Sequence, residues 1–299
     1  MLKKMNNRKY LIYLIGVFLP LSGCMQFRTS PKGVMEEFQE SGVKPVIKDI
    51  KEGDQNLHYV EVTDGQHKKP TILFIHGAPG SSDNFFQFMK DNELVSDFDM
   101  ISVDRPGYGY SDFGKAETSI KEQAEALEPI LKEYGSTPTL VVGHSYGGPV
   151  AAKSAVLYPK LVQGIMLLAP AIDPDHEKKF AIAWFGKAKP FRWLTPRSWK
   201  VATDEKYSHV EELKKMLPDW EKIKVPVTYI QGDKDRLVPY ENLAFAKKMI
   251  DSNCLKVIGI PGEDHFLPWS QEELVTKELI SLDSRMDEDQ VSAVACIDQ

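Results

Sequence analysis

The sequence predicts an α/β architecture: a mostly parallel sheet with helices on both faces and one short inserted segment. Three observations carry that expectation. Continuous apolar runs of strand length recur along the chain, too apolar for strands with one wet face, as in a parallel sheet buried on both sides. Segments of helical period stand between them. The alternation breaks only at one aromatic-rich stretch and at the C-terminus. The 299 residues are 42% hydrophobic and 27% charged, a balance typical of globular chains.

The elements follow in order. "LHYVEV" (57–62) alternates as a half-buried strand does, and "DGQHKKP" (64–70) turns the chain. "TILFIHGAPG" (71–80) is a buried strand running into glycines, and "FDMISVDRPGYGYSD" (98–112) repeats the form. "SIKEQAEALEPILKEYG" (119–135) has helical period, with Pro129 as a kink. "TLVVGHSYGG" (139–148) is the next strand. "PVAAKSAVLYP" (149–159) is a helix with Pro149 in its first turn. Strands follow at 162–170, 225–235 and 254–265, the last two succeeded by helical stretches at 240–250 and 270–282. The layout is a core of residues 45–173 and 224–282, a cap insertion at 174–223 rich in Trp and Phe, and an acidic polar tail at 283–299 expected to be mobile. The cap aromatics suit an apolar acyl or aryl pocket and equally a packed cap core.

Before the core, "MLKKMNNRKY" is basic, "LIYLIGVFLP" is apolar and "LSGC" is small, the arrangement of a secretory signal. The apolar run is well short of the ~20 residues of a membrane-spanning helix. Leu21-Ser22-Gly23-Cys24 resembles the bacterial lipobox. That resemblance implies cleavage after residue 23, lipid on Cys24, and a membrane-anchored protein facing the periplasm or cell exterior. Residues 24–44 then read as a tether. Losing Lys3, Lys4, Arg8 and Lys9 with the leader takes the net charge from −6 to −10. The acidic balance gives no footprint for nucleic acid. Besides Cys24 only Cys254 and Cys296 exist, with no C-x-x-C and no zinc spacing.

The chemistry centres on "GHSYG" (143–147). Ser145 stands where strand passes to helix, with Gly143 and Gly147 relieving the bend. G-x-S-x-G in that setting is a nucleophile elbow. A serine hydroxyl needs a base, and a developing oxyanion needs pre-aimed N–H donors. The donors expected are the N–H of Tyr146, just after the serine, and the N–H of Ala78 in "HGAPG" (76–80). His76, Gly77, Gly80 and His144 are expected to shape these loops. His265, in the loop after the last strand, is the base that position and chain order favour. Asp233 and Asp235 both follow the fifth buried strand and either could orient it. Asp264 is too close in sequence to receive the ring N–H.

Taken together, "HGAPG", "DRPGYGYSD", "GHSYGG", "GDKDRLVP" and "EDHF" resemble the α/β-hydrolase-fold serine hydrolases over residues 55–282. The resemblance implies Ser145 as nucleophile, His265 as base, and Asp235 over Asp233 as acid, from the family's spacing before "VP". It implies Ala78 and Tyr146 as amide donors and 174–223 as a cap. Epoxide hydrolases and haloalkane dehalogenases share the HGxPG loop but carry aspartate where Ser145 stands. Proline iminopeptidases share the loop and the serine, usually with a larger acidic cap. The activity expected is hydrolysis of a small carboxylic ester through an acyl-enzyme, with no metal or organic cofactor. The alternatives are amide or C–C bond hydrolysis, including an iminopeptidase-like activity, and a catalytically silent binding module.

Overall fold

Six mainly apolar strands and a more polar hairpin align into one eight-stranded sheet. The computed structural model describes residues 27–178, 192 and 195–291, with only the backbone of 287–291. The strands are β1 (Val46–Glu52), β2 (Gln55–Val62), β3 (Thr71–Ile75), β4 (Asp99–Val103), β5 (Thr139–His144), β6 (Val162–Leu168), β7 (Val227–Gly232) and β8 (Leu255–Ile260). Their order is β1-β2-β4-β3-β5-β6-β7-β8. β1 and β2 form a hairpin around Gly53, and β2 runs antiparallel to β4. From β4 onward every pairing is parallel. The chain steps from β3 to β4, then crosses back to β5 on β3's other side. The strand order therefore reverses between β3 and β5, and open α/β sheets bind ligands outside the carboxyl ends of strands at such a reversal.

The two faces of the sheet bury alternate residues of each strand. One core joins Leu73 and Ile75 of β3 and Val141 of β5 to α2 (Ile120–Glu125), α3 (Glu128–Glu133) and α4 (Gly147–Leu157), with α6 (Glu241–Met249) on the same face. The other joins Ile72 and Phe74 of β3 and Val142 of β5 to α1 (Pro31–Phe38), the phenylalanines of 85–88 and α7 (Glu272–Val291). Helix α5 (Arg197–Met216) lies in the insertion between β6 and β7. The helical stretch expected at 119–135 divides into α2 and α3, with Pro129 in the first turn of α3.

Three sequence expectations are corrected. Residues 31–38 of the expected tether form helix α1, capped by Ser30 Oγ on Gly33 N–H at 3.1 Å, with Val34 and Phe38 buried. The Phe38 ring packs edge-on against Phe86 at 5.1 Å. The acidic tail does not start at 283: α7 runs on to Val291, and the period of Val275, Leu279, Leu282 and Met286 keeps all four buried. The end of the insertion belongs to the main core, where Trp220 is fully buried against Phe245. The leader 1–23, Cys24, and the cap residues Trp184, Phe185, Phe191 and Trp193 lie outside the described residues.

Candidate active site

At the end of β5 the chain turns sharply into α4. Ser145 sits on that bend at φ 54°, a left-handed conformation costing a non-glycine residue on the order of 1–3 kcal/mol. The bend is pinned by Ser145 N–H donating to Leu168 O at 3.0 Å, and by Ser145 O accepting from Gly148 and Ala171 at 3.0 and 3.1 Å. Close approach explains the flanking glycines. A Cβ on Gly143 would stand 2.3 Å from Gly147 O, and one on Gly147 the same distance from Ile75 O.

His265 follows β8, and Asp235 follows β7. His265 Nδ1 lies 2.7 Å from Asp235 Oδ2, with both side chains buried. The other oxygen, Asp235 Oδ1, accepts from Leu237 and Val238 N–H at 2.8 Å each, which fixes the carboxylate's angle. Asp233 points elsewhere. Its Oδ1 accepts from Gly262 N–H at 2.7 Å and ties the β7 turn to the β8 turn. Asp264 Oδ1 accepts from Phe266 N–H in a local turn. The carboxylate at His265 is therefore that of Asp235.

The loop after β3 lies directly on the elbow, since a Cβ on Gly77 would be 3.0 Å from Ser145 Cβ. His76 is fully buried. Its Nε2 accepts from Arg105 N–H at 3.0 Å, so Nδ1 carries the proton and donates to Gly77 O at 2.6 Å. Burial, then the Arg105 charge, drives its pKa well below the ordinary histidine value. A Cβ on Gly80 would meet Asn84 Oδ1 at 2.5 Å and His76 Nδ1 at 2.8 Å. His144 also stays neutral: its Nε2 lies 3.1 Å from His265 O, and burial, then His265, lowers its pKa to about 3. Its ring meets His265 at 4.8 Å and Trp269 at 5.2 Å, bracing the loop that bears His265.

Sequence reasoning missed the group that grips this loop. Arg105, 1% exposed, donates through Nε to His76 O at 2.9 Å and through Nη2 to Gly77 O at 3.0 Å. A trans peptide points its C=O and N–H in opposite directions. Holding Gly77 O therefore sets the direction of the Ala78 N–H. On its far side Arg105 Nη1 reaches Glu205 Oε1 and Gln123 Oε1, both at 2.6 Å, and Glu205 is fully buried in the cap helix α5. Tyr108 Oη donates to Glu205 Oε2 at 2.5 Å, and Gln123 Nε2 to Glu205 Oε1 at 3.0 Å. Burial opposes the Arg105 charge, but Glu205 outweighs it and holds the guanidinium above its ordinary pKa. The Tyr146 ring touches both sides of this clamp, 4.7 Å from Arg105 and stacked at 4.5 Å on His209 of α5. His209 is held in turn by Glu177 at 2.9 Å, where Lys206 also binds. Arg105 lies within "DRPGYGYSD", where nothing local distinguishes it from a surface arginine. For Glu205 and His209 the available signal was periodicity, because with Val201 and Leu213 they occupy the inward stripe of α5.

Comparisons with known proteins agree with this architecture. The model of the alpha/beta hydrolase fold family matches residues 70–191. A putative lipase from Acinetobacter baumannii superposes with a TM-score of 0.65 at 20% identity, covering 86% of this chain and 96% of that one. A bacterial membrane phospholipase A superposes at 0.64 and 19% identity, covering 94% and 99%. A probable 1-acylglycerol-3-phosphate O-acyltransferase of Oryza sativa subsp. japonica is 32% identical over 142 residues, 44% of this chain and 34% of the relative. This chain thus matches about a third of that relative's length. The fold is that of the α/β hydrolases; at these identities the solved structures speak to fold alone.

Proposed function

We propose that this chain of α/β-hydrolase fold is a serine hydrolase that cleaves carboxylic esters through an acyl-enzyme, and that it works outside the cytoplasm as a lipoprotein anchored at Cys24. The observation that carries the catalytic reading is the buried His265–Asp235 pair at 2.7 Å, on the sheet edge where Ser145 occupies its strained elbow. Ser145 Oγ attacks the ester carbonyl as His265 Nε2 takes its proton. Asp235 holds the Nδ1–H tautomer and stabilises the imidazolium. The oxyanion is received by the Ala78 and Tyr146 N–H groups, the second at the N-terminus of α4, where the helix dipole also favours negative charge. His265 then protonates the leaving alcohol, and water repeats the sequence on the acyl-enzyme. No step requires a metal or organic cofactor.

The location rests on the lipobox-like "LSGC" at the end of the short apolar leader. No helix among the described residues is long and apolar enough to cross a membrane. A fluorophosphonate probe should label Ser145 of the purified mature protein. Ser145→Ala should lose labelling and turnover with an unchanged melting temperature, since removing a triad nucleophile costs about 10⁶ in kcat in a well-studied protease. An alanine variant that keeps a tenth of the esterase rate refutes the assignment. A panel of p-nitrophenyl esters, amino-acid amides and lactones separates ester from amide chemistry.

A further inference from the structure

The segment that leads from Cys24 into the fold crosses the rim of the active site. Phe27 meets Trp199 of α5 edge-on at 6.2 Å. Arg28 lies over the rings of Tyr110 and Phe113, 4.6 and 4.4 Å from their centroids, and donates to Gly109 O at 3.1 Å. Thr29 Oγ1 donates to Asp83 at 2.7 Å. These partners belong to the loops after β3 and β4 and to the cap helix. Both loops leave the carboxyl ends of parallel strands, the edge that also carries Ser145, Asp235 and His265.

Next to Asp83, Asn84 O accepts from Trp269 Nε1 at 3.1 Å. Trp269 and its neighbour Phe266, 5.9 Å away, are 38% and 54% exposed, and Phe266 directly follows His265. Leu237 and Tyr240, also exposed, stand on the loop after Asp235. Among the described residues, half of the exposed large apolar side chains therefore stand on the loops that carry Asp235 and His265, beside the point where the N-terminal segment joins the fold.

Chain length decides what that rim faces. Phe27 is three residues beyond Cys24, a span of at most about 11 Å when fully extended. From Phe27 on the chain is pinned, and α1 buries Val34 and Phe38 a few residues later. A lipid on Cys24 therefore brings this rim to the bilayer and leaves little slack for another face to take its place. The charge of −10 left after leader removal opposes attraction to an anionic leaflet, so contact falls to the anchor and the aromatic rim. Tryptophan suits that level of a membrane.

We propose that the anchored protein holds the mouth of its active site against the membrane surface, and that its substrate is an acyl ester embedded in the bilayer. The inference rests on lipidation of Cys24 and on the serine-esterase reading. It is tested with full-length processed lipoprotein in phosphatidylcholine vesicles carrying a fluorogenic acylglycerol, beside a variant with twenty Gly/Ser residues inserted between Gln26 and Phe27. Both proteins should sediment with the vesicles and hydrolyse soluble p-nitrophenyl butyrate equally. On the vesicle ester the insertion should slow hydrolysis about tenfold or more, because effective concentration falls steeply with linker length. Equal vesicle rates for the two proteins overturn the inference while both premises stand. Wild-type protein that stays in the supernatant removes the anchor, and wild-type protein silent on both esters removes the hydrolase. Either result overturns the inference at its premise and is distinguishable from the first.

Discussion

Glu205→Gln removes the charge that balances Arg105, in a site where the two residues are 0% and 1% exposed. Deleting one partner of a buried ion pair costs about 3–5 kcal/mol, because the other charge is left without compensation. For a chain of this size that lowers the melting temperature by roughly 10 °C. Arg105→Lys makes a different cut. The lysine keeps a charge for Glu205, but one ammonium cannot span His76 O, Gly77 O, Gln123 and Glu205 as the guanidinium fork does. Stability should fall less, by about 1–2 kcal/mol for hydrogen bonds lost. The Gly77–Ala78 peptide loses its grip, and complete loss of one oxyanion donor costs about 10²–10³ in kcat. A loosened donor should cost about tenfold to a hundredfold, with KM nearly unchanged. The decisive variant is Arg105→Met with Glu205→Leu, which removes both charges. Apolar replacement of a buried pair is often neutral or stabilising, so the melting temperature should largely return while kcat stays low. Thermal melts and kcat and KM on p-nitrophenyl acetate read both quantities. A double variant that regains full kcat along with stability refutes the argument: Arg105 would then serve the fold alone.

Three further outcomes are expected. Asp235→Asn should lower kcat by about 10⁴, the cost of losing the correct imidazole tautomer, whereas Asp233→Asn should stay active and lose only about 1 kcal/mol for its bond to Gly262; the reverse pattern in steady-state kinetics would move the acid to Asp233. His144 is held at a pKa of about 3 against 6.5 when unfolded, so between those values the unfolded chain binds a proton that the folded chain refuses. Stability should therefore be complete above pH 6.5 and fall on acidification by up to about 1.4 kcal/mol per pH unit from this group; urea melts from pH 4 to 7 should show a shallower slope for His144→Gln, and an unchanged slope would reject its burial as the cause. Phe38→Ala should destabilise by about 3–5 kcal/mol, as for a buried aromatic; a loss under about 1 kcal/mol in denaturant titration would return the N-terminal helix to the status of a tether.

The buried strands were readable because each is one unbroken apolar run, and a run buried on both faces has no competing local interpretation. β1 was not, since "VIKDIKE" is a charged edge strand with no buried residue and gains its identity from pairing with β2. Helix α1 was hidden by brevity: its only buried anchors are Val34 and Phe38. The end of α7 was misjudged because acidic residues between Leu282 and Met286 masked an inward stripe that continues through them. At the site, Ser145, Asp235 and His265 each sit in a short motif shaped by a strand end, so local sequence carries them. The Arg105–Glu205 pair joins residues 100 positions apart, and nothing local to either announces the other.

That pairing bears on how such a protein can change. An insertion between two strands invites exchange as a unit, by recombination or by an engineer seeking a new specificity. Here any crossover placed between positions 105 and 205 parts a buried cation from its counter-charge. A foreign insert without a carboxylate at the Glu205 position would leave Arg105 buried beneath it without its counter-charge, while Arg105 still holds the Gly77 carbonyl. New substrate ranges should therefore arise most readily by substitution within the existing insertion, with the 105–205 bond inherited intact, and chimeras that part the two halves should melt well below those in which both travel together.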